Sequence, residues 1–210
     1  MITVLYADAH VLVVEKPAGM LSVPGRGADK RDCLSLRVQQ LHADALIVHR
    51  LDMATSGLML MARGAEAQSR LGKAFAARQV HKRYQALVHG RLHADAEHWH
   101  AIDLPIAPDW PNRPLRIICA QTGKPSLSRW RSLAPLGNMT TRLELEPVTG
   151  RSHQLRVHLQ AIGHPIVGDA LYTLADAPPV ADRLMLHATE IAFMHPVTGR
   201  AMQFTSTAAF

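Results

Sequence analysis

The sequence predicts an α+β fold with a mixed, mostly antiparallel central sheet flanked by helices and loops. Three observations carry that expectation. Strand-like alternation recurs at the start, in the middle and at the end of the chain. Only three stretches space their apolar residues as a helix does. The strands come in runs instead of alternating one by one with helices, which disfavours a parallel βαβ sheet.

Ile2–Tyr6 and Val11–Glu15 read as two strands joined by a turn at Ala7–His10. The loop KPAGMLSVPGRG follows, punctuated by Pro17, Gly19, Pro24, Gly25 and Gly27. Leu34, Val38 and Leu41 give Cys33–His42 a helical spacing. Leu58–Ala62 returns to strand. Ala67, Leu71 and Phe75 then recur every fourth residue, a second helix that fades near Gln79. Strands are expected at Tyr84–Val88, at Leu127–Leu133 and around Leu143 and Leu145, which charges separate. A third helix fits Ser152–Ile162, with Leu155, Leu159 and Ile162 on one stripe, His153, Arg156 and Gln160 opposite, and Gly163 ending it. Leu184–Leu186, Glu190–Met194 and Ala201–Thr205 read as closing strands.

The chain has 210 residues, a length that suits one large domain or two closely packed halves. We expect a single catalytic domain over residues 1–210. A hydrophobic fraction of 48% excludes a disordered chain. The formal charge of +6 favours a polyanionic partner. Cys33 and Cys119 fit neither a metal nor a disulfide spacing and read as free, buried thiols of a reducing compartment. MITVLYADAH lacks a basic region ahead of an apolar core, so no secretory signal is expected. No apolar run approaches the roughly 18 residues of a membrane helix. A cytoplasmic protein is expected.

The chemistry concentrates in HRLDMATSGLMLMAR, residues 49–63. Here Arg50 and Asp52 precede a small polar turn (Thr55, Ser56, Gly57) and then an apolar strand. A carboxylate kept ionised beside a cation at a strand mouth suits catalysis. Tyr84 stands at a strand entry in HKRYQALVHG, and Arg151 in PVTGRSHQLRVH at the start of the third helix. A helix start favours anions, so Arg151 there would hold and aim Asp52. Spacing alone favours a solvated arginine.

These segments, with KPAGMLSVPG, TGRSHQLRVHLQAIGHPIVGD and RLMLHA, closely resemble the RluA-type pseudouridine synthases over nearly the whole chain. DWPNRP and TGKP resemble the subgroup that modifies both 23S ribosomal RNA and transfer RNA, which lacks the S4-type RNA-binding domain common in the family. The resemblance implies the pseudouridine synthase fold with its cleft across the sheet, and isomerisation of uridine in RNA without cofactor or metal. It implies Asp52 as catalytic carboxylate, Tyr84 packed on the uracil and able to act as base, Arg151 as the salt-bridge partner of Asp52, and Arg50 filling the gap left by the flipped base. A monomer acting on RNA stem-loops of 23S RNA and tRNA is expected. We further assign His49, Thr55, Trp110, Asn112, Arg113, His153 and Arg156 to substrate binding.

Base eversion costs a few kcal/mol. Arg50 offers a flat guanidinium for the gap, and an aromatic face holds the extruded ring with about 1–3 kcal/mol. Positive charge developing at C1′ is met by a carboxylate that either stabilises or attacks it. The glycine-rich loop matches neither G-x-x-x-x-G-K-[ST] nor GxGxxG and reads as structural, with Lys16 near the pocket. The HRLD tetrad lacks the other kinase motifs. Trp110, in the loop that Pro111 and Pro114 stiffen, admits two readings, a recognition group or a core side chain. The thirteen histidines lack a metal-ligand spacing and are expected mostly at the surface or facing RNA. Lys30, Arg31, Lys82, Arg83, Arg113, Arg116, Lys124, Arg129 and Arg131 are expected to contact phosphates if they share a face. A non-catalytic RNA-binding factor and a histidine-dependent metal hydrolase are the competing function classes.

Overall fold

The computed structural model describes residues 2–27, 31–92, 97–136, 139–173 and 181–210. The chain divides into two compact units, Met1–Lys82 with His187–Ala209, and Arg83–Leu186 with Phe210. It passes between them within β5 (His81–His89) and at the head of β11 (Leu186–Met194).

The first unit is organised around β4 (Ser56–Arg63), an eight-residue strand whose first seven residues are all buried. Such a run has no polar face, which marks a strand packed on both sides. β2 (Val11–Lys16) lies antiparallel along it, from Val11 opposite Ala62 to Lys16 opposite Gly57. β1 (Thr3–Ala7) pairs with β2, and the short β3 (Ala45–Ile47) pairs with the far end of β4. The start of β4 runs parallel to β11, Ser56 beside His187 and Gly57 beside Ala188. β12 (Ala201–Thr205) closes antiparallel on β11. Val11 and Val13 of β2, Leu58, Leu60 and Ala62 of β4, and Ile191 and Phe193 of β11 share one core with Ala67 and Leu71 of α2 (Ala65–Ala76). The period-two residues of three strands thus meet the i, i+4 stripe of a helix. α1 (Leu34–Gln39) buries Leu34 and Val38.

In the second unit β5, β10 (Thr140–Pro147), β9 (Leu127–Leu136) and β6 (His100–Asp103) form successive antiparallel pairs. β10 shows why alternation predicts a strand. Thr141, Leu143 and Leu145 turn inward, while Glu144 faces Arg131 of β9 directly and bonds it at 2.6 Å. β7 (Ile106–Pro108) and β8 (Arg116–Ile118) pair separately. Ile106 packs with Val157 of α3 (Gln154–Ala161) and with Tyr172.

The α+β expectation holds, and β4–β11 is a parallel pair within a mostly antiparallel sheet. Leu184 and Met185, expected in a strand of their own, stand outside β11. Met185 instead donates its N–H to Val167 O and accepts from Leu87 N–H. β3, β7 and β8 were not anticipated, since three residues are too few to show a period. Gly163 follows α3 with φ 83° and donates to Gln160 O, as the sequence indicates. Cys33 is buried, whereas Cys119 is only half-buried; both are free.

Gly57 has φ 109°, and a Cβ there would sit 2.4 Å from Ala188 O and 2.5 Å from Ala188 N. Backbone cannot yield as a flexible side chain does. Gly57→Ala is therefore expected to lower stability by about 3 kcal/mol or more, read as an earlier urea midpoint by circular dichroism. An unchanged midpoint would contradict the close β4–β11 approach.

Candidate active site

The turn from His49 to Ser56 is held by its backbone, and most of the holding groups come from the glycine-rich loop. The carbonyl of Leu51 accepts from Ser22 Oγ at 2.7 Å, and the N–H of Leu51 donates back to the same oxygen at 3.1 Å. Asp52 O accepts from Thr55 N–H. Met53 O accepts twice, from Gly19 N–H at 2.9 Å and from Lys16 Nζ at 3.0 Å. Three consecutive carbonyls are thereby fixed around Asp52. Gly19 makes its contact with φ 81°, a conformation open to glycine.

Lys16 is fully buried. Its ammonium donates to Pro17 O (2.9 Å), Met20 O (2.7 Å) and Met53 O (3.0 Å). Three acceptors match the three N–H groups that only the charged form carries. Burial pulls its pKa down to about 8, against the pull of the Asp52 carboxylate, which favours the charge. At neutral pH the clamp is therefore cationic, and Asp52 lies within its field.

His49 does a different job from the expected substrate contact. Its Nε2 accepts from Leu60 N–H at 3.0 Å, and its ring stacks on Phe75 at 4.7 Å. Burial pulls its pKa down to about 3, with Lys82 adding to the effect, so the ring is neutral and structural. Thr55, also assigned to substrate, is buried and closes the turn through its N–H. Behind it runs a polar line that the sequence did not announce. Ser206 Oγ donates to Glu15 (2.7 Å), which leaves its lone pairs to His187 Nε2 (2.9 Å), and His187 Nδ1 meets Ser56 Oγ (2.9 Å). This line ties the head of β4 to β2, β11 and the residue after β12.

On this turn Arg50 is exposed, Asp52 half-buried and Leu51 buried. The other predicted groups belong to the second unit. Tyr84 sits in β5, buried and opposite Leu145 of β10. Arg151 lies three residues before α3, exposed, its guanidinium 3.5 Å from Pro125 O. Gln154 organises that turn, accepting from Thr149 Oγ1 and Arg151 N–H and donating to Leu127 O and Ser128 Oγ.

Trp110 is 65% exposed, which decides against the core reading. Arg113 lies 3.6 Å over its ring, and Asn112 donates to Asp109. Asn112 thus staples the loop that displays the stacked pair. His153 adopts φ 58° at the N-cap of α3 and bonds Tyr172 OH through Nδ1. Arg156 must be corrected. It is 4% exposed and makes two bonds to Asp169, at 2.7 and 2.6 Å, so its guanidinium is committed to a buried ion pair. The helical wheel misplaced it because α3 is buried almost all round.

Several expected phosphate contacts are also committed elsewhere. Arg131 pairs with Glu144, and Arg83 and Arg129 with Glu146. Lys30 lies outside the described residues. His158, His187 and His195 are buried and hydrogen-bonded, against the expected surface placement.

The RNA pseudouridylate synthase family matches residues 10–161. The chain belongs to that family. It is 44% identical over 209 residues to the dual-specificity RNA pseudouridine synthase RluA of Escherichia coli K12, covering 100% of this chain and 94% of the relative. The protein of the same name from Vibrio vulnificus is 48% identical over 92% of this chain and 78% of its own length. Among solved structures, human RNA pseudouridylate synthase domain containing 1 superposes with a TM-score of 0.81 at 27% identity, covering 99% of this chain and 83% of its own.

Replacing Lys16 with Met removes the donor that the carbonyls of Pro17, Met20 and Met53 share. Lys16→Met is expected to cost about 2–5 kcal/mol of stability, measured by denaturant unfolding; a loss under 1 kcal/mol would contradict the clamp. His49 supplies a pH dependence. Its pKa is about 3 in the fold against 6.5 when exposed, so in that window the unfolded chain binds a proton that the fold refuses. The stability contribution is complete above pH 6.5 and drains as pH falls towards 3. His49→Gln, which keeps an acceptor without titrating, is expected to lose less stability between pH 7 and pH 4.5 than the wild type; equal losses would refute the assignment.

Proposed function

We propose that the catalytic residues of this RNA pseudouridine synthase are Asp52, Tyr84 and Arg151, with Arg50 entering the space of the everted base. The observation that carries this reading is the pinned turn: carbonyls 51 to 53 are each hydrogen-bonded, so the carboxylate between them is presented from a fixed backbone. The isomerisation breaks the C1′–N1 bond, turns the uracil and joins C5 to C1′. The proton displaced from C5 leaves and N1 gains one, so no atom is added overall and no redox partner is required. Asp52 meets the developing charge at C1′, either as nucleophile or as counter-ion. Tyr84 packs on the ring and can take the C5 proton. Arg151 partners the carboxylate.

For substrates we propose stem-loops of 23S ribosomal RNA and the transfer RNA anticodon loop. The dual-specificity relatives and the DWPNRP and TGKP segments support this. The exposed Trp110–Arg113 stack supports a role in holding RNA, since a guanidinium on an indole offers both a stacking face and a charge. We read the enzyme as monomeric, metal-free and cytoplasmic. The two free cysteines support a reducing compartment, and no helix among the described residues is long and apolar enough to cross a membrane.

The test is tritium release from C5-labelled uridine in transcript RNA. Asp52→Asn is expected to bind RNA with near wild-type affinity while turnover falls by about 10³-fold or more. Turnover at the wild-type rate would remove Asp52 from the chemistry, and an inactive wild type would favour a non-catalytic RNA-binding role.

A further inference from the structure

We propose that Met53 is an apolar wedge that packs on the base next to the everted uridine and so helps to decide which uridines are opened. This rests on the reading of Asp52 and Arg50 above and extends it to a residue that the reaction itself does not need.

Met53 is 53% exposed, among the most exposed large apolar residues of the first unit. Isolated exposed methionines are ordinary; this one differs in how it is mounted. Its carbonyl carries two hydrogen bonds, from Lys16 Nζ and Gly19 N–H. The peptide before it is closed by Thr55 N–H on Asp52 O, and Leu51 is fastened to Ser22 at both its N–H and its carbonyl. The side chain therefore leaves a backbone that cannot retreat, one residue from the carboxylate and three from the exposed Arg50. At this exposed position lysine or serine would be better solvated.

The chemistry of the side chain narrows what it touches. A thioether carries no charge for phosphate and is a weak hydrogen-bond acceptor, so it cannot read a base edge. What remains is contact with a flat apolar surface, which suits a polarisable, unbranched chain. Everting a nucleotide exposes that kind of surface on each neighbour in the stack. Methionine is one of the side chains used as wedges between nucleic-acid base steps. Arg50 and Met53 then divide the work. The planar cation occupies the vacated position and answers the orphaned hydrogen bonds, while the apolar group covers the unstacked face beside it.

The experiment is a cycle between Met53 and the neighbouring bases, using a transfer RNA anticodon stem-loop transcript labelled with tritium at C5 of uridine. Two further transcripts carry an abasic ribose immediately 5′ or 3′ of the modified uridine. Met53→Ala is expected to lower kcat/KM about tenfold on the intact stem-loop, the size of one lost base contact. The deficit should shrink to less than about threefold on one of the abasic transcripts, where the contact has no partner. Met53→Leu, which restores an apolar face, should stay within about threefold of the wild type on intact RNA. Equal rates for Met53→Ala and the wild type on intact RNA overturn the wedge. So does a deficit that persists on both abasic transcripts, which would mark a structural effect. A wild type that releases no tritium from any of the three RNAs overturns the underlying reading, and the wedge with it, a result distinct from the other two.

Discussion

The turn that carries Asp52 depends on one ammonium. Lys16 ends β2, is wholly buried, and spends all three of its donors on carbonyls, two in the loop that follows it and one beside Asp52. A buried charge is costly unless each of its hydrogen bonds is made. That cost gives the clamp its specificity, because any arrangement that withdraws one carbonyl leaves a cation without a partner. The loop and the turn therefore fix each other. Ser22 repeats the logic with neutral groups, its hydroxyl both accepting from and donating to Leu51. A carboxylate that must face a single carbon atom gains from such redundancy, since a displacement of about 1 Å can cost a hundredfold in rate.

The opposite side of the turn is held by different means. Gly57 lets β4 approach the backbone of Ala188 closely, and Ser56 enters a chain of polar groups through His187 and Ser206 to Glu15. The polarity of that chain follows from its end. Glu15 accepts the Ser206 hydroxyl, so Ser206 accepts from His187 Nε2–H, and His187 Nδ1 bonds Ser56 Oγ. The turn is thus set between a cationic clamp and a hydrogen-bonded relay, which is why both KPAGMLS and RLMLHA accompany it in the sequence.

How legible this was depended on distance along the chain. α2 was visible because Ala67, Leu71 and Phe75 are local neighbours, and β10 because Leu143 and Leu145 alternate with charges. The turn was visible as a motif, but its fastening was not. Ser22 and Leu51 are 29 residues apart, and a serine in a loop carries no mark of its partner. His187 and Ser56 are separated by 131 residues. Arg156 was misjudged for the same reason. A helical wheel gives the side of a helix, not whether that side is covered, and its partner Asp169 sits thirteen residues on. His49 carried a polar name into a packed position, where stacking on Phe75 and one backbone N–H outweigh its charge.

The formal charge of +6 already sets each acid against a base, and a sum does not say where the surplus is displayed. Arg37, Arg63, Arg70, Arg83, Arg131 and Arg156 each pair with a carboxylate of this chain. A guanidinium already bonded to Glu or Asp releases few counterions when a phosphate arrives, so it adds little to binding. What attracts a polyanion is the remainder, and among the described residues it includes the exposed Arg50, with Arg113 displayed on an exposed indole. The arginines that a phosphate can reach include those that the motifs single out. Charge thus supports the functional reading through where it is left unpaired, and not through its sum.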